Sequence, residues 1–364
     1  MNNSTKQLHD LGQRIWLDNI SRELLTSGTL QRYIDELSVT GVTSNPTIFE
    51  RAIGHGGVYD EAIRELADLG LSAEGVFFEL ALRDLTEAAD LFRPIHDSSA
   101  GADGWVSLEV SPVLAYDTVG TISAAAKLHK RAARENLFIK IPATPEGILA
   151  IEQSIFSGIP VNVTLLFSSE QYTAAANAYL RGIERRLAAG LHARVESVAS
   201  LFVSRWDVAV KQEISPAFHE RLGIAIAMRT YKSHHDLLLS ARWQRLAALG
   251  ARPQRLLWAS TGTKDATVRD TLYVEALIAP QTINTIPEKT LLAFADHGRV
   301  GVTLPTDGGF AEVVLSEFRR EGVNEGALAA RLQRDGVEAF AQSWRALMSK
   351  IETKSAEQQT AKLL

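Results

Sequence analysis

The chain has 364 residues, 46% of them hydrophobic and 22% charged, a globular composition that is long enough for one large α/β barrel or two smaller domains. A formal net charge of −5 and a pI near 6.0 leave no basic field for nucleic acid, and the absence of cysteine excludes disulfides, iron–sulfur clusters and thiolate zinc sites. The amino end, MNNSTKQLHDLGQRIW, lacks the charged-then-apolar order of a signal peptide. No apolar run reaches the roughly 18 residues a membrane span needs, so the expected compartment is the cytoplasm, away from membranes.

No low-complexity linker divides the chain. Short β-branched or apolar runs predict strands at Ile15–Asn19, Val39–Asn45, Trp105–Ser111, Leu137–Pro142, Val161–Phe167, Val198–Ser204, Leu256–Thr261 and Thr282–Ile286. Longer stretches between them, such as Ser169–Ala189 and His234–Leu249, carry apolar residues at helical spacing. Strands alternating with helices imply a parallel sheet covered on its outer face. Eight such units favour an α/β fold of the (β/α)8 TIM-barrel type. An open doubly wound sheet is the competitor, and the Gly-rich turn expected after its first strand is missing.

The carboxyl end differs. From Leu328, the residues Leu332, Phe340, Trp344, Leu347 and Ile351 recur every three to four positions and make one apolar stripe. The stripe predicts an additional C-terminal helix packed on the barrel, running into a fraying polar tail, KSAEQQTAKLL. The expected division is a catalytic barrel over 1–325 and a helix with its tail over 326–364. GHGG at 54–57 lacks the context of a phosphate loop and reads as a turn.

One strand carries a charge. In NLFIKIP, Leu137, Ile139 and Ile141 fall on one face, while Phe138 and Lys140 fall on the other. The outer face of a barrel packs on helices, so Lys140 points inward, near the C-terminal end where barrel active sites lie. The same alternation places Trp16 and Asp18 opposite Ile15 and Leu17, and Thr43 and Asn45 opposite Val42. Glu109 falls with Ser107 and Ser111, and Asn162 and Thr164 alternate with Val161, Val163 and Leu165. Ser200 and Phe202 oppose Ala199, Leu201 and Val203, and Ser260 and Asn284 close the set. Each could be a hydrogen-bonded barrel residue, and Lys140 could be one half of a buried ion pair with Glu109 or Asp18. Gathered from many strands, they describe an active-site wall.

Desolvation favours the neutral amine of a lysine, which can condense with a ketone to give a Schiff base. That chemistry needs carboxylates to move protons and amides or hydroxyls to hold a polyol, and the inner face supplies both. Arg205 in SLFVSRWD and Lys264 in WASTGTKD follow strand ends, where barrels often bind phosphate, and suit a sugar phosphate. No H-E-x-x-H spacing occurs. His234 and His235 read as residues at the start of a helix and His297 as a helix terminus. The expectation is no metal and no cofactor.

Taken together, LDN around Asp18, TSNPTIFE at 43–50, SLEVSP at 107–112, IKIPAT at 139–144, NVTLLFS at 162–168, SLFVSR at 200–205, WAST at 258–261 and NTIPE at 284–288 resemble the transaldolase family in order and over roughly residues 10 to 300. The resemblance implies a (β/α)8 barrel that moves a dihydroxyacetone unit from sedoheptulose 7-phosphate to glyceraldehyde 3-phosphate, with no cofactor. It implies Lys140 as the Schiff-base lysine, Glu109 working with a water held by Thr164, and Asp18 as the base that starts carbon–carbon cleavage. Asn45, Asn162 and Ser200, with Phe202 beside them, would position the dihydroxyacetone part, and Arg205 and Ser260 the phosphate. Better-known members carry an arginine two residues past the serine of WAS; here the run is STGTKD, with Lys264 as the candidate replacement. The C-terminal extension shields the barrel or supports a homodimer, and the sequence leaves that choice open. The rivals are a Schiff-base aldolase on the same barrel, a non-catalytic sugar-phosphate-binding barrel, and a metal-dependent aldolase.

Overall fold

The computed structural model describes residues 3–54, 57–265 and 267–361, the last of these from 357 onward as helical backbone only. Eight strands are present: β1 (Arg14–Leu17), β2 (Val39–Thr43), β3 (Trp105–Glu109), β4 (Leu137–Pro142), β5 (Val161–Leu166), β6 (Ser197–Phe202), β7 (Arg255–Ala259) and β8 (Ile283–Ile286). They close into a barrel in chain order, each parallel to its neighbours. The expected (β/α)8 architecture is therefore what the chain adopts.

The alternation read from the sequence sorts the strand residues into two apolar sets. Ile15, Leu17, Val106, Leu108, Leu137, Ile139, Ile141, Val163, Leu201 and Trp258 join the large core between the sheet and the helices. Trp16, Trp105, Phe138, Val198, Leu257 and Ile283 fill the barrel itself. Trp105 stacks on Phe138 with ring centroids 4.1 Å apart, and Trp16 Nε1 donates to Asp103 at 3.0 Å, so buried indoles find the partners they need. A glycine on β2 makes this layer fit: a Cβ on Gly41 would lie 2.6 Å from the Trp105 carbonyl and 2.7 Å from the Trp16 ring.

Four readings need correction. Strict alternation puts Leu165 outside with Val161 and Val163, but Leu165 has φ +58° and the β5–β6 register shifts there. Its side chain joins the interior set and Leu166 takes the outer place. Asn284 pairs with Ile15 and Trp258, both outward residues, and so stands on the outer face, where Oδ1 accepts from Thr261 at 2.8 Å. Its neighbour Thr285, paired with inward Trp16, is the polar residue β8 sends into the barrel, beyond Ile283. The segment His234–Leu249 is two helices, Leu222–Leu239 and Ala241–Ala248, because Ser240 takes extended geometry and its hydroxyl caps Trp243 N–H at 3.2 Å. His234 and His235 consequently lie in the second half of the first of these helices, not at a helix start. His297 does end a helix, Glu288–His297.

The carboxyl end forms one helix, Glu325–Ala361, which extends through most of the stretch read as a fraying tail. Leu328, Leu332, Phe340, Trp344, Leu347 and Ile351 are all buried. Trp344 packs against Phe77 and Phe78 with centroids 4.9 and 5.7 Å apart, and Lys350 and Lys354 form ion pairs with Glu50 and Asp60. Of the GHGG run, Gly54 ends the helix Pro46–Gly54, and His55 and Gly56 lie outside the described residues.

Candidate active site

A cavity of about 380 Å³ opens at the C-terminal ends of the strands, a size suited to a small polyol phosphate. Asp18, Thr43, Asn45, Lys140, Thr164, Ser200, Phe202, Arg205, Ser260 and Lys264 all line it. Ser260 arrives there by backbone geometry. Leu257 and Ala259 mark the inward positions of β7, so strict alternation would turn Ser260 outward; its φ of +56° redirects it to the mouth.

The chemical centre lies across β3, β4 and β5. The register pairs Glu109 with Lys140 and Lys140 with Asn162, which puts three polar side chains at one level. Lys140 Nζ lies 3.3 Å from Glu109 Oε2 and donates to the Ser44 carbonyl at 3.2 Å. Lys140 and Glu109 are about 5% and 6% exposed, so the ion pair expected of a bland buried lysine does exist. Its partner is not an ordinary carboxylate, however. Burial pushes the Glu109 carboxyl up, against the pull of Lys140. Burial likewise raises Asp18, whose Oδ1 accepts from Thr43 at 3.0 Å, against the opposing charge of Lys140. Two acids with raised proton affinity flank one amine, an arrangement able to pass protons to and from it.

Asn162 is fully buried and spans the interior. Its Nδ2 donates to Ser107 at 3.1 Å and its Oδ1 accepts from Ser200 at 2.7 Å. Asn45 Oδ1 accepts from Ile48 N–H at 3.0 Å, which fixes its amide at the start of the helix after β2. Thr164 Oγ1 is buried without a protein hydrogen-bond partner, as is Glu109 Oε2 by hydrogen-bond geometry. Two such atoms in one small site require an account.

The far wall is cationic. Arg205 sits between two rings, 5.1 Å from the Phe202 centroid and 5.7 Å from that of Phe340. Burial draws its guanidinium below the usual range, partly offset by Asp18 and then Asp335. Lys264, at the rim, is drawn down by desolvation and then by the charges of Arg205 and Arg51. Arg51 and Lys289 also line the cavity, and Asp18 is the one acid among the lining residues. A pocket so charged suits an anion with two or more oxygens.

Sequence reasoning missed Arg51, Thr285 and Phe340. Arg51 had a signal, because Thr47 and Arg51 are four residues apart on the helix that leaves β2 and so share a face. Thr285, whose hydroxyl is 2.6 Å from that of Thr43, was readable only with the correct parity of β8. Phe340 was read as core, and nothing in the stripe's period tells which part of the barrel it meets.

An inward lysine between two protonatable acids, at the mouth of a (β/α)8 barrel and facing a cationic wall, defines the class of barrel enzymes that run aldol chemistry on sugar phosphates through an amine. Within that class the chain belongs to the transaldolase/fructose-6-phosphate aldolase family, whose model matches residues 15–351. It is 44% identical to a transaldolase of Renibacterium salmoninarum over 97% of this chain and 96% of that protein. It is 45% identical to a transaldolase of Parafrankia sp. over 95% and 97% of the two chains, and 44% identical to a transaldolase of Thiobacillus denitrificans over 96% and 99%.

Proposed function

We propose that Lys140 is the Schiff-base residue of a transaldolase reaction, an assignment carried by its burial between Glu109 and Asp18. The activity is a transferase activity: a dihydroxyacetone unit passes from sedoheptulose 7-phosphate to glyceraldehyde 3-phosphate, giving erythrose 4-phosphate and fructose 6-phosphate. The Lys140 amine adds to the donor ketone. Glu109, with a water on Thr164, returns a proton to the carbinolamine hydroxyl so that water leaves and the protonated imine forms. Thr164 Oγ1, buried with no protein hydrogen-bond partner, and Glu109 Oε2, 3.3 Å from Lys140 Nζ, support that role. Asp18 takes the proton of the hydroxyl beyond the scissile bond, the carbon–carbon bond breaks towards the imine, and the first aldehyde departs. The enamine then attacks the second aldehyde, and the same steps run backwards.

Asn45, Asn162 and Ser200 hold the three-carbon part in this scheme, with Phe202 beneath Arg205. Arg205, Ser260 and Lys264 bind the phosphate in this scheme, with Lys264 standing in for the arginine that better-known members carry after WAS, and Arg51 lines the same cavity. We assign residues 1–325 as the catalytic barrel and 326–364 as its covering helix and tail. No helix among the described residues is long and apolar enough to cross a membrane, and we place the enzyme in the cytoplasm with phosphorylated sugars as its partners. The aldolase reading remains the second one, since the family description names both activities. Borohydride trapping with fructose 6-phosphate and peptide mass mapping tests the lysine. A three-carbon adduct on Lys140 supports the scheme, and an unmodified Lys140 in protein that binds the sugar refutes it. Product release that requires an added aldehyde separates transfer from aldol cleavage.

A further inference from the structure

The covering helix puts a residue into the pocket. Phe340 is about 5% exposed and belongs to the apolar set inside the barrel, with Leu165, Phe167 and Phe202. Its ring centroid lies 5.8 Å from Lys140 Nζ and 5.7 Å from the Arg205 guanidinium carbon. One ring thus covers both the amine and the cation assigned to the phosphate. The other walls of the cavity come from the strand ends, the loop at 262–264 and the N-terminal turns of the helices that follow β2 and β8, and this one comes from the C-terminal helix.

That helix is held where it crosses the mouth. Gln333 Nε2 donates to the carbonyls of Ala143 at 2.9 Å and Leu165 at 3.0 Å, at the ends of β4 and β5. Ser343 and Thr47 share a hydrogen bond of 2.8 Å on the β2 side. Gly336 lets the helix come close, since a Cβ there would lie 2.9 Å from Leu165 Cδ2 and 3.2 Å from Arg205 Nη1. Phe340 therefore sits between two tethers, about 10 Å along the helix from one and about 5 Å from the other.

Resting on the Schiff-base reading above, we infer that Phe340 is a specificity-determining residue that keeps bulk water from the lysine-bound three-carbon intermediate, and so sets the balance between transfer and release. Between departure of the first aldehyde and arrival of the second, the enamine stands in a half-empty pocket. Water diverts it by a balanced route: a proton adds to the enamine carbon, one water adds to the imine carbon, the carbon–nitrogen bond breaks, and free dihydroxyacetone leaves with the amine restored. A fixed aromatic wall over Lys140 admits the aldehyde from the mouth while denying the space that bulk water would fill.

The test compares Phe340→Ala with the unchanged enzyme on fructose 6-phosphate, with and without erythrose 4-phosphate. Without acceptor, the unchanged enzyme should release about one equivalent of glyceraldehyde 3-phosphate per site and then slow, whereas Phe340→Ala should keep turning over. The ratio of release to transfer should rise about tenfold. Gln333→Ala, which removes both hydrogen bonds of one tether without cutting into the interior, should raise it about threefold. A general loss of structure would lower both rates and leave the ratio alone. An unchanged ratio in folded Phe340→Ala, or in Gln333→Ala where the first variant does not fold, overturns the inference. Failure to trap Lys140 in the unchanged enzyme would instead strike the mechanism on which it rests.

Discussion

Arg205→Ala tests the cationic wall most directly. The guanidinium is half-buried beside Phe202 and Phe340, and among the described residues Asp18, Asp335 and Glu109 attract it without a carboxylate oxygen in ion-pair contact. A phosphate would supply the charge-assisted hydrogen bonds the protein does not. Such bonds contribute about 1.5–3 kcal/mol, so kcat/KM for fructose 6-phosphate should fall roughly 10- to 150-fold. Lys264 and Arg51 remain in the pocket, and removing Arg205 also relieves the repulsion that depresses Lys264; both effects favour the lower half of that range. Arg205→Lys should recover part of the loss, because an ammonium keeps the charge and loses the planar fork. The decisive assay compares fructose 6-phosphate with unphosphorylated fructose. The loss should fall on the phosphorylated sugar and leave kcat/KM for fructose within about threefold. Equal losses on both would mean that Arg205 supports the pocket's shape, and the phosphate assignment would fail.

Lys140→Ala should lower turnover by about 10⁴-fold or more and abolish borohydride trapping. Its melting temperature should stay close to that of the parent, because burial pushes the Glu109 carboxyl up and it can take a proton once the ammonium is gone; calorimetry checks this, and a collapse in stability would return Lys140 to a structural role. Asp18 and Glu109 both ionise later in the folded chain than in the unfolded one. The folded state then holds more protons above the ordinary carboxylate range, and stability falls as pH rises through that window. Asp18→Asn removes one such group, so its melting temperature should rise relative to the parent's as pH rises from about 4 towards neutrality while carbon–carbon cleavage slows; a variant that instead loses ground to the parent over that interval would contradict the raised carboxyl. Trp344→Ala removes a buried indole packed on Phe77 and Phe78 and should cost about 3–5 kcal/mol, read by denaturant titration.

The strands were legible because a parallel barrel imposes two apolar faces with different destinations. In Leu137–Pro142 the period of two alone separates the helix-facing residues from Phe138 and Lys140, and the register then aligns Glu109, Lys140 and Asn162. The same rule fails wherever the backbone leaves regular extended geometry. Leu165 and Ser260 both have positive φ, and neither residue type announces it as glycine would. One error of parity on β8 put Asn284 where Thr285 belongs, which is the expected penalty for a shift of one residue. The long-range part was out of reach for a different reason. Periodicity shows that Leu332, Phe340 and Trp344 share a stripe, but a stripe has no address. In the fold, Trp344 reaches Phe77 and Phe78 outside the barrel while Phe340, one turn earlier, reaches Lys140 and Arg205 inside its mouth. A helix that crosses the rim must bury both environments with one continuous apolar face, so residues that pack the core and residues that shape the chemistry look alike in the sequence. Only the tethers at Gln333 and Ser343, which fix the crossing point, tell them apart.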